Sequence, residues 1–283
     1  MTWVRIARWV ALGVATLTVV GLAGLYGASE WMLRRPHDVA LPAVTAASGP
    51  EAVARGEHLS ALYGCSGCHG GDLQGDFEMD IPGVASMRAA NLTHVIWDYS
   101  DAELARAVRQ GYRQDGSALW AMPSESWVAV TDAEMADLIA FLRTHRPAGE
   151  EPEPSRLTLM GRLALVTGQF PLTPAFVADA IASPPVSAGP AFERGRHIAS
   201  TVCSECHGSA LTGGMGTPDL MIAASYDLES FTRLMRTGTP TDGRDLGLMS
   251  EVARGRFVHF RDDEIADLHA YLVARAEQTP ASS

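Results

Sequence analysis

Residues 55–73 read RGEHLSALYGCSGCHGGDL, and residues 194–211 read RGRHIASTVCSECHGSAL. The two stretches are one pattern written twice: Arg-Gly, a short apolar helix pattern, Cys-x-x-Cys-His-Gly, then Leu. Internal similarity of this kind sets the architecture before any other feature does. The match continues downstream. Asn91-Leu92 aligns with Asp219-Leu220, Gly111 with Gly238, and Asp115-Gly116 with Asp242-Gly243. Six residues after each of the later glycines stands a methionine, Met122 and Met249. Each copy closes on a similar segment, DAEMADLIAFLR (132–143) and DDEIADLHAYLV (262–273). Met135, Leu138, Ile139 and Leu142 give the i, i+3, i+4, i+7 stripe of a helix, and Ile265, Leu268, His269 and Leu272 repeat it. Thr131 is placed to cap the first of these helices, with Asp132 and Glu134 at its positive end. Gly56 and Gly195, in the helix before each cysteine pair, leave room for another helix to pass close to the backbone. Phe141 and Tyr271 are expected to pack over them.

The chain has 283 residues, 47% hydrophobic and 19% charged. That length accommodates two domains, and the apolar content supports packed cores and excludes general disorder. The formal net charge is -11, with 33 carboxylates against 22 basic residues. Nucleic acid is therefore excluded as a partner, because phosphate binding needs a basic face. Every basic residue is Arg. A docking surface built on lysines is excluded with it, and partner binding must use Arg, carboxylates or apolar contact.

Trp9 to Ser29 carries no charge, with Arg5 and Arg8 before it and Glu30, Arg34 and Arg35 after it. As a helix it spans roughly 30 Å, the thickness of a bilayer's hydrocarbon core. Trp9, Tyr26 and Trp31 sit where an aromatic belt lies. A retained anchor is favoured over a cleaved secretory peptide. The small-residue site Gly21-Leu22-Ala23 falls inside the apolar run, and Ala28 has Tyr26 two residues before it.

Between the copies the composition changes. PAGEEPEP (147–154) and SPPVSAGP (183–190) are linker signals. RLTLMGRLALVTGQF (156–170) between them is apolar and reads as a short helix, expected to pack between the two domains rather than to dock a membrane protein. The organisation expected is an anchor over 1–34, a first domain over 50–146, a linker over 147–189 and a second domain over 190–277.

The four cysteines, Cys65, Cys68, Cys203 and Cys206, all lie in the two Cys-x-x-Cys-His units. Two thiols three positions apart on a turn can each bond one vinyl group on the same edge of a haem. The next residue, His69 or His207, is then held beneath the iron. This pentapeptide is the attachment signature of c-type haem. A redox dithiol and half a zinc site are the rivals. Neither accounts for histidine at the same place in both copies. With both motifs loaded, no cysteine remains for a disulfide. Methionine is the expected sixth ligand in electron-carrying cytochromes. Met122 and Met249 stand at equal distance from an Asp-Gly turn, and are preferred over Met79, Met87 and Met135 in the first copy. In the second copy they have Met215, Met221, Met235 and His259 as rivals. A ligating histidine donates its other ring N–H to an acceptor, for which the carbonyls of Pro82 and Pro218 are the expectation. Asn91, Trp97, Trp120 and Trp127 are expected along the first haem crevice.

Each copy resembles the class I cytochrome c family, through CSGCH and WAMPSESW in the first and CSECH and GLMSEVARGRF in the second. Ser250 stands where the first copy has the proline of its Met-Pro pair. The resemblance covers roughly residues 50–145 and 190–276. It implies an all-α fold, two tandem cytochrome c domains after one transmembrane helix, with two covalently bound haem c. Haem attachment in that family takes place outside the bacterial cytoplasm, so the resemblance implies a single-pass protein of the bacterial inner membrane with its haem domains in the periplasm. The whole resembles membrane-bound dihaem cytochromes that partner periplasmic dehydrogenases. The expected function is electron transfer, not catalysis, from a dehydrogenase or quinol-oxidising complex to a terminal oxidase or other acceptor. The alternatives are a dihaem peroxidase and a haem subunit that bridges a respiratory supercomplex.

Overall fold

In the computed structural model, which describes residues 2–214 and 216–278, the chain begins with one long helix, α1 (Trp3–Arg34). The first copy then runs α2 (Pro50–Leu62), α3 (Cys65–His69), a hairpin of β1 (Glu78–Ile81) and β2 (Ala85–Arg88), α4 (Leu92–Asp98), α5 (Asp101–Gln110) and α6 (Asp132–Leu142). The linker contributes β3 (Arg156–Leu157), α7 (Leu159–Val166) and α8 (Thr173–Ala182). The second copy runs α9 (Glu193–Ile198), α10 (Ser204–His207), α11 (Leu228–Thr237), α12 (Leu248–Gly255) and α13 (Asp262–Gln278). The architecture is helical, as the sequence predicts. A small antiparallel sheet in the order β1-β2-β3 is added to the first copy.

One contact organises each copy. A Cβ on Gly56 would stand 2.0 Å from the Asp137 carbonyl oxygen, and one on Gly195 2.0 Å from that of Asp267. Helix α2 therefore crosses α6, and α9 crosses α13, at a separation that only hydrogen permits. Phe141 and Tyr271 flank the two crossings, as expected. Ion pairs repeat with them. Arg55 pairs with Asp137, and Arg194 with Asp263 and Asp267. Arg109 bonds the Val130 carbonyl and Asp132, while Arg236 bonds the Val258 carbonyl and Asp262. The helices end alike, too: Gly111 and Gly238 close α5 and α11 in the left-handed conformation, at φ 74° and 71°.

Both copies contribute to one continuous hydrophobic core. Leu62, Ile96, Met135 and Ile139 of the first join Val202, Leu220, Ile265 and Tyr271 of the second. The linker takes a different place from the one expected. Leu157 and Leu165 pack with Ala85, Met32, Leu33, Trp120 and Phe170, between the first copy and the end of α1 rather than between the copies. The apolar pattern correctly marks a buried face; the partner of that face is set by the hairpin, whose Val84 carbonyl would lie 2.2 Å from a Cβ on Gly161.

Replacing Gly56 or Gly195 with Ala forces each helix pair apart. A loss of about 1–3 kcal/mol is expected, the range for overpacking a well-packed contact, read as a lower denaturation midpoint. An unchanged midpoint would show that the crossings yield without cost.

Candidate functional site

Each Cys-x-x-Cys-His unit forms a single helical turn, α3 or α10, at the end of the helix that crosses over glycine. The chain leaves each turn identically. Leu73 N bonds the Gly70 carbonyl and Gly75 N the His69 carbonyl; Leu211 N bonds Gly208 and Gly213 N bonds His207. Leu73 and Leu211 are the non-glycine residues with positive φ among the described residues, at 62° and 61°. Such backbone costs on the order of 1–3 kcal/mol. It persists because both leucine side chains are buried in the core, so the strain fixes the loop that carries each histidine.

The histidines are held by carbonyls. His207 Nδ1 lies 2.8 Å from the Pro218 oxygen, as expected. His69 Nδ1 lies 2.8 Å from the oxygen of Ala90, not Pro82. The hairpin β1-β2 is inserted in the first copy and carries Pro82 away to its tip. A carbonyl only accepts, so in both rings Nδ1 bears the proton and Nε2 keeps a lone pair for a metal. Burial also pushes the His69 imidazole below its ordinary pKa, which favours the neutral ligand form.

Burial raises the pKa of all four thiols, Cys203 to about 12. None has the thiolate character that a redox dithiol requires. Among the described residues no three His, Cys, Asp or Glu side chains gather as a metal cluster, so the two pairs do not converge on a shared zinc site.

Met122 and Met249 both pack against the shared core, along with Cys65 and Cys203. Their backbones are pinned. Thr173 at the start of α8 donates its hydroxyl to the Met122 carbonyl at 3.0 Å, and Ser124 donates to the Ala107 carbonyl. In the second copy Ser250 is buried; it donates to the Gly238 carbonyl at 2.6 Å and accepts from Leu246 N at 2.9 Å. The serine that replaces proline after Met249 thus anchors that segment to the end of α11. Of the rival methionines, Met135 and Met235 are buried in the same core on α6 and α11, Met79 and Met87 face each other across the hairpin, and Met221 lies in the 3-10 turn Leu220–Ser225. His259 is exposed, and Met215 lies outside the described residues.

Of the residues expected along the first crevice, Trp127 is in the shared core with its indole N–H unpartnered. Asn91 caps α4 and donates to the Ala148 carbonyl. Trp97 is exposed and bonds the His145 carbonyl, and Trp120 meets Phe170 edge-on beside the linker.

The sequence reading missed the interface between the two motifs. The Arg256 guanidinium bonds the Leu62 carbonyl, two residues before Gly64-Cys65, and Glu205, which stands between Cys203 and Cys206. His58 pairs with Glu264, and His197 with Glu134. Each histidine lies two residues after a crossing glycine, and each glutamate lies on the first turn of a terminal helix, so the pairs are reciprocal. Burial pushes Glu134 and Glu264 up, but the hydrogen bonds from His197 and the Thr131 N–H, and from His58 and the Arg261 N–H, together with the charges beside them, leave both below the ordinary carboxylate range. Ser204 Oγ also approaches the Ser126 carbonyl. Trp127 Nε1, Ser126 Oγ and Arg256 Nη2 are buried donors of this region with no protein partner among the described residues, and leave hydrogen-bonding capacity for a bound cofactor. The residues present fit the group.

Two small helical domains, each ending a glycine-crossed helix in Cys-x-x-Cys-His with the histidine Nε2 free for iron, define a dihaem c-type cytochrome. A family profile described as cytochrome c matches residues 53–146 and 192–275, and the chain belongs to the cytochrome c family. It is similar to the fructose dehydrogenase cytochrome subunit of Gluconobacter japonicus, 23% identical over 78% of this chain and 52% of the relative. The gluconate 2-dehydrogenase cytochrome c subunit of Pantoea cypripedii is 29% identical over 76% and 52%. A dihaem c-type cytochrome of Cereibacter sphaeroides is 27% identical over 71% and 69%. The chain spans about half the length of the first two. It carries two covalently bound haem c groups, and its N-terminal helix is long and apolar enough to anchor it in a membrane.

Because Glu134 and Glu264 are depressed in the folded protein, their contribution to stability is present above the ordinary carboxylate pKa and is lost as pH falls through the folded values. Urea titrations from about pH 7 down to about pH 3 should show a stability loss that Glu134→Gln with Glu264→Gln flattens. An equally steep loss in the double variant would remove the reciprocal pairs from the account.

Proposed function

We propose that Cys65 and Cys68 carry one haem and Cys203 and Cys206 the other. His69 with Met122, and His207 with Met249, would hold the two irons. The bound haems supply the one-electron iron couple. The protein's part is to hold His69 and His207 in the Nδ1–H form, to brace Met122 through Thr173 and Met249 through Ser250, and to keep water from the core between the copies. With two ligands to each iron supplied by the chain, no position would be left for substrate, which favours electron transfer over bond chemistry.

The observation that carries this reading is the hydrogen bond from each motif's histidine to the carbonyl just before Asn91 or its counterpart Asp219, repeated in both copies. We infer that the chain receives electrons from a dehydrogenase, in keeping with its similarity to dehydrogenase cytochrome subunits. It passes them to a terminal oxidase or comparable acceptor, on the periplasmic side of a bacterial inner membrane. A continuous core and the His–Glu hydrogen bonds across the interface support a fixed relation between the two domains, which suits direct exchange between them.

Met122→His should lower the midpoint potential of one haem by on the order of 100 mV, within the roughly 0.8 V that axial ligands command, and leave the other unchanged. Met249→His should do the same to its partner. Spectroelectrochemical titration checks both. Two unshifted potentials would remove these methionines from the iron. Gentle detergent extraction followed by identification of co-purifying subunits tests the donor: a recovered dehydrogenase supports it, and a solitary cytochrome counts against it.

A further inference from the structure

Helix α7 has two unlike faces. Gly161 and Leu165 are buried against the hairpin and β3. Leu159, Met160, Leu163 and Val166 are exposed, by 48%, 60%, 45% and 38%. Four large apolar side chains on eight residues make a patch of the kind that marks an interaction surface. What lies beside them identifies the partner.

Helix α7 packs along α1. A groove of about 590 Å³ runs between the two, lined by Leu22, Leu25, Gly83, Met160 and Leu163 and reaching back to Thr18. Positions 18–25 lie four to eleven residues inside Ser29, the end of the uncharged run. At helical rise that is roughly 6–16 Å within the apolar zone. The polar boundary is marked on the opposite side of α7. Arg162 turns away from the exposed face to donate to Ser29 Oγ and Glu30 Oε1, both at 2.7 Å, and its guanidinium stacks over Tyr26 at 4.4 Å. Its charge is thus neutralised at the level where α1 leaves the apolar zone, and the face toward α1's apolar half carries none. Interfacial helices bury an apolar face roughly 5–10 Å into the boundary of a leaflet, a depth that overlaps this one.

We propose that α7 is an interfacial helix whose Leu159, Met160, Leu163 and Val166 lie among the lipid acyl chains beside α1, with one acyl chain seated in the groove between the two helices. The proposal rests on the reading of α1 as a bilayer-spanning anchor. It goes beyond tethering. A single spanning helix joined by a loose segment lets its domain swing, whereas two adjacent membrane contacts hold the first haem domain at one height and one orientation above the lipid.

The test uses the full-length holoprotein in phospholipid nanodiscs. Met160→Cys and Leu163→Cys are labelled separately with bimane, with Val14→Cys on α1 as the mid-span reference and the wild type as the control for labelling of the native cysteines. An unaltered haem spectrum shows that each variant is folded. Each label is read in discs with and without nitroxide-bearing lipid, and again with aqueous iodide. Loss of fluorescence to nitroxide lipid at 160 and 163, comparable with that at 14, with iodide ineffective, is the expected result. Labels at 160 and 163 that iodide quenches and lipid does not would overturn the proposal, since water then covers the face. Labels that neither agent reaches would also overturn it, since protein then covers the face. A label at 14 that lipid leaves untouched overturns the anchor reading and this proposal together, which separates the two failures.

Discussion

The structure depends on two helix crossings at which no side chain fits. Gly56 over the Asp137 carbonyl and Gly195 over the Asp267 carbonyl set how close the first and last helices of each domain lie. The cysteine-bearing turns follow directly on the crossing helices, so their position is inherited from that contact. From there the order is short-range. A positive-φ leucine turns the chain, and a backbone carbonyl further along accepts the hydrogen bond of the histidine Nδ1–H. Local strain and close backbone packing thus present an Nε2 lone pair at a fixed place before any cofactor is considered.

The same crossings decide how the domains meet. His58 and His197 each lie two residues past a crossing glycine, and each reaches the first turn of the other domain's terminal helix, at Glu264 and Glu134. One local geometry used twice therefore produces a two-fold-like interface, sealed by the continuous core. Interfaces between domains are mobile by default unless they are large and apolar; this one joins a continuous apolar core to two His–Glu hydrogen bonds. Arg256 breaks this symmetry. The single guanidinium of Arg256 lies against both cysteine motifs, bonded to the Leu62 carbonyl on one side and to Glu205 on the other, so one fixed positive charge is shared by both sites.

Much of this was readable from residues alone, and the reasons divide cleanly. The repeat, the terminal helices with their Thr131–Glu134 capping box, and the glycines under the crossings are periodic or local signals. So is the Pro218 carbonyl, which lies eleven residues from His207. The Ala90 carbonyl was missed because counting forward from His69 runs into an inserted hairpin; counting back from the Asn91–Asp219 equivalence finds it. Arg256, Thr173 and the reciprocal His–Glu pairs join elements far apart in the chain, and no spacing announces them. The placement of the linker was misread for a related reason: apolar periodicity states that a face of α7 is buried, and says nothing of what buries it.

That linker gives the molecule its asymmetry. Leu157 and Leu165 of its first half pack with Met32 and Leu33 at the end of α1, and Thr173 of its second half holds the Met122 carbonyl. The segment after α1 adds a further tie, His37 N to the Gly116 carbonyl, on the loop that leads to Met122. The anchor and the linker therefore brace the same domain, and brace it on the side of its proposed methionine ligand. Met249 is steadied instead by Ser250, from within its own domain. Two domains built from one pattern thus support their methionine segments by different means. A disturbance at the anchor has a short covalent and hydrogen-bonded route to the first site, and a longer one to the second, along the linker to the Val186 carbonyl that Tyr271 holds or across the interface between the domains.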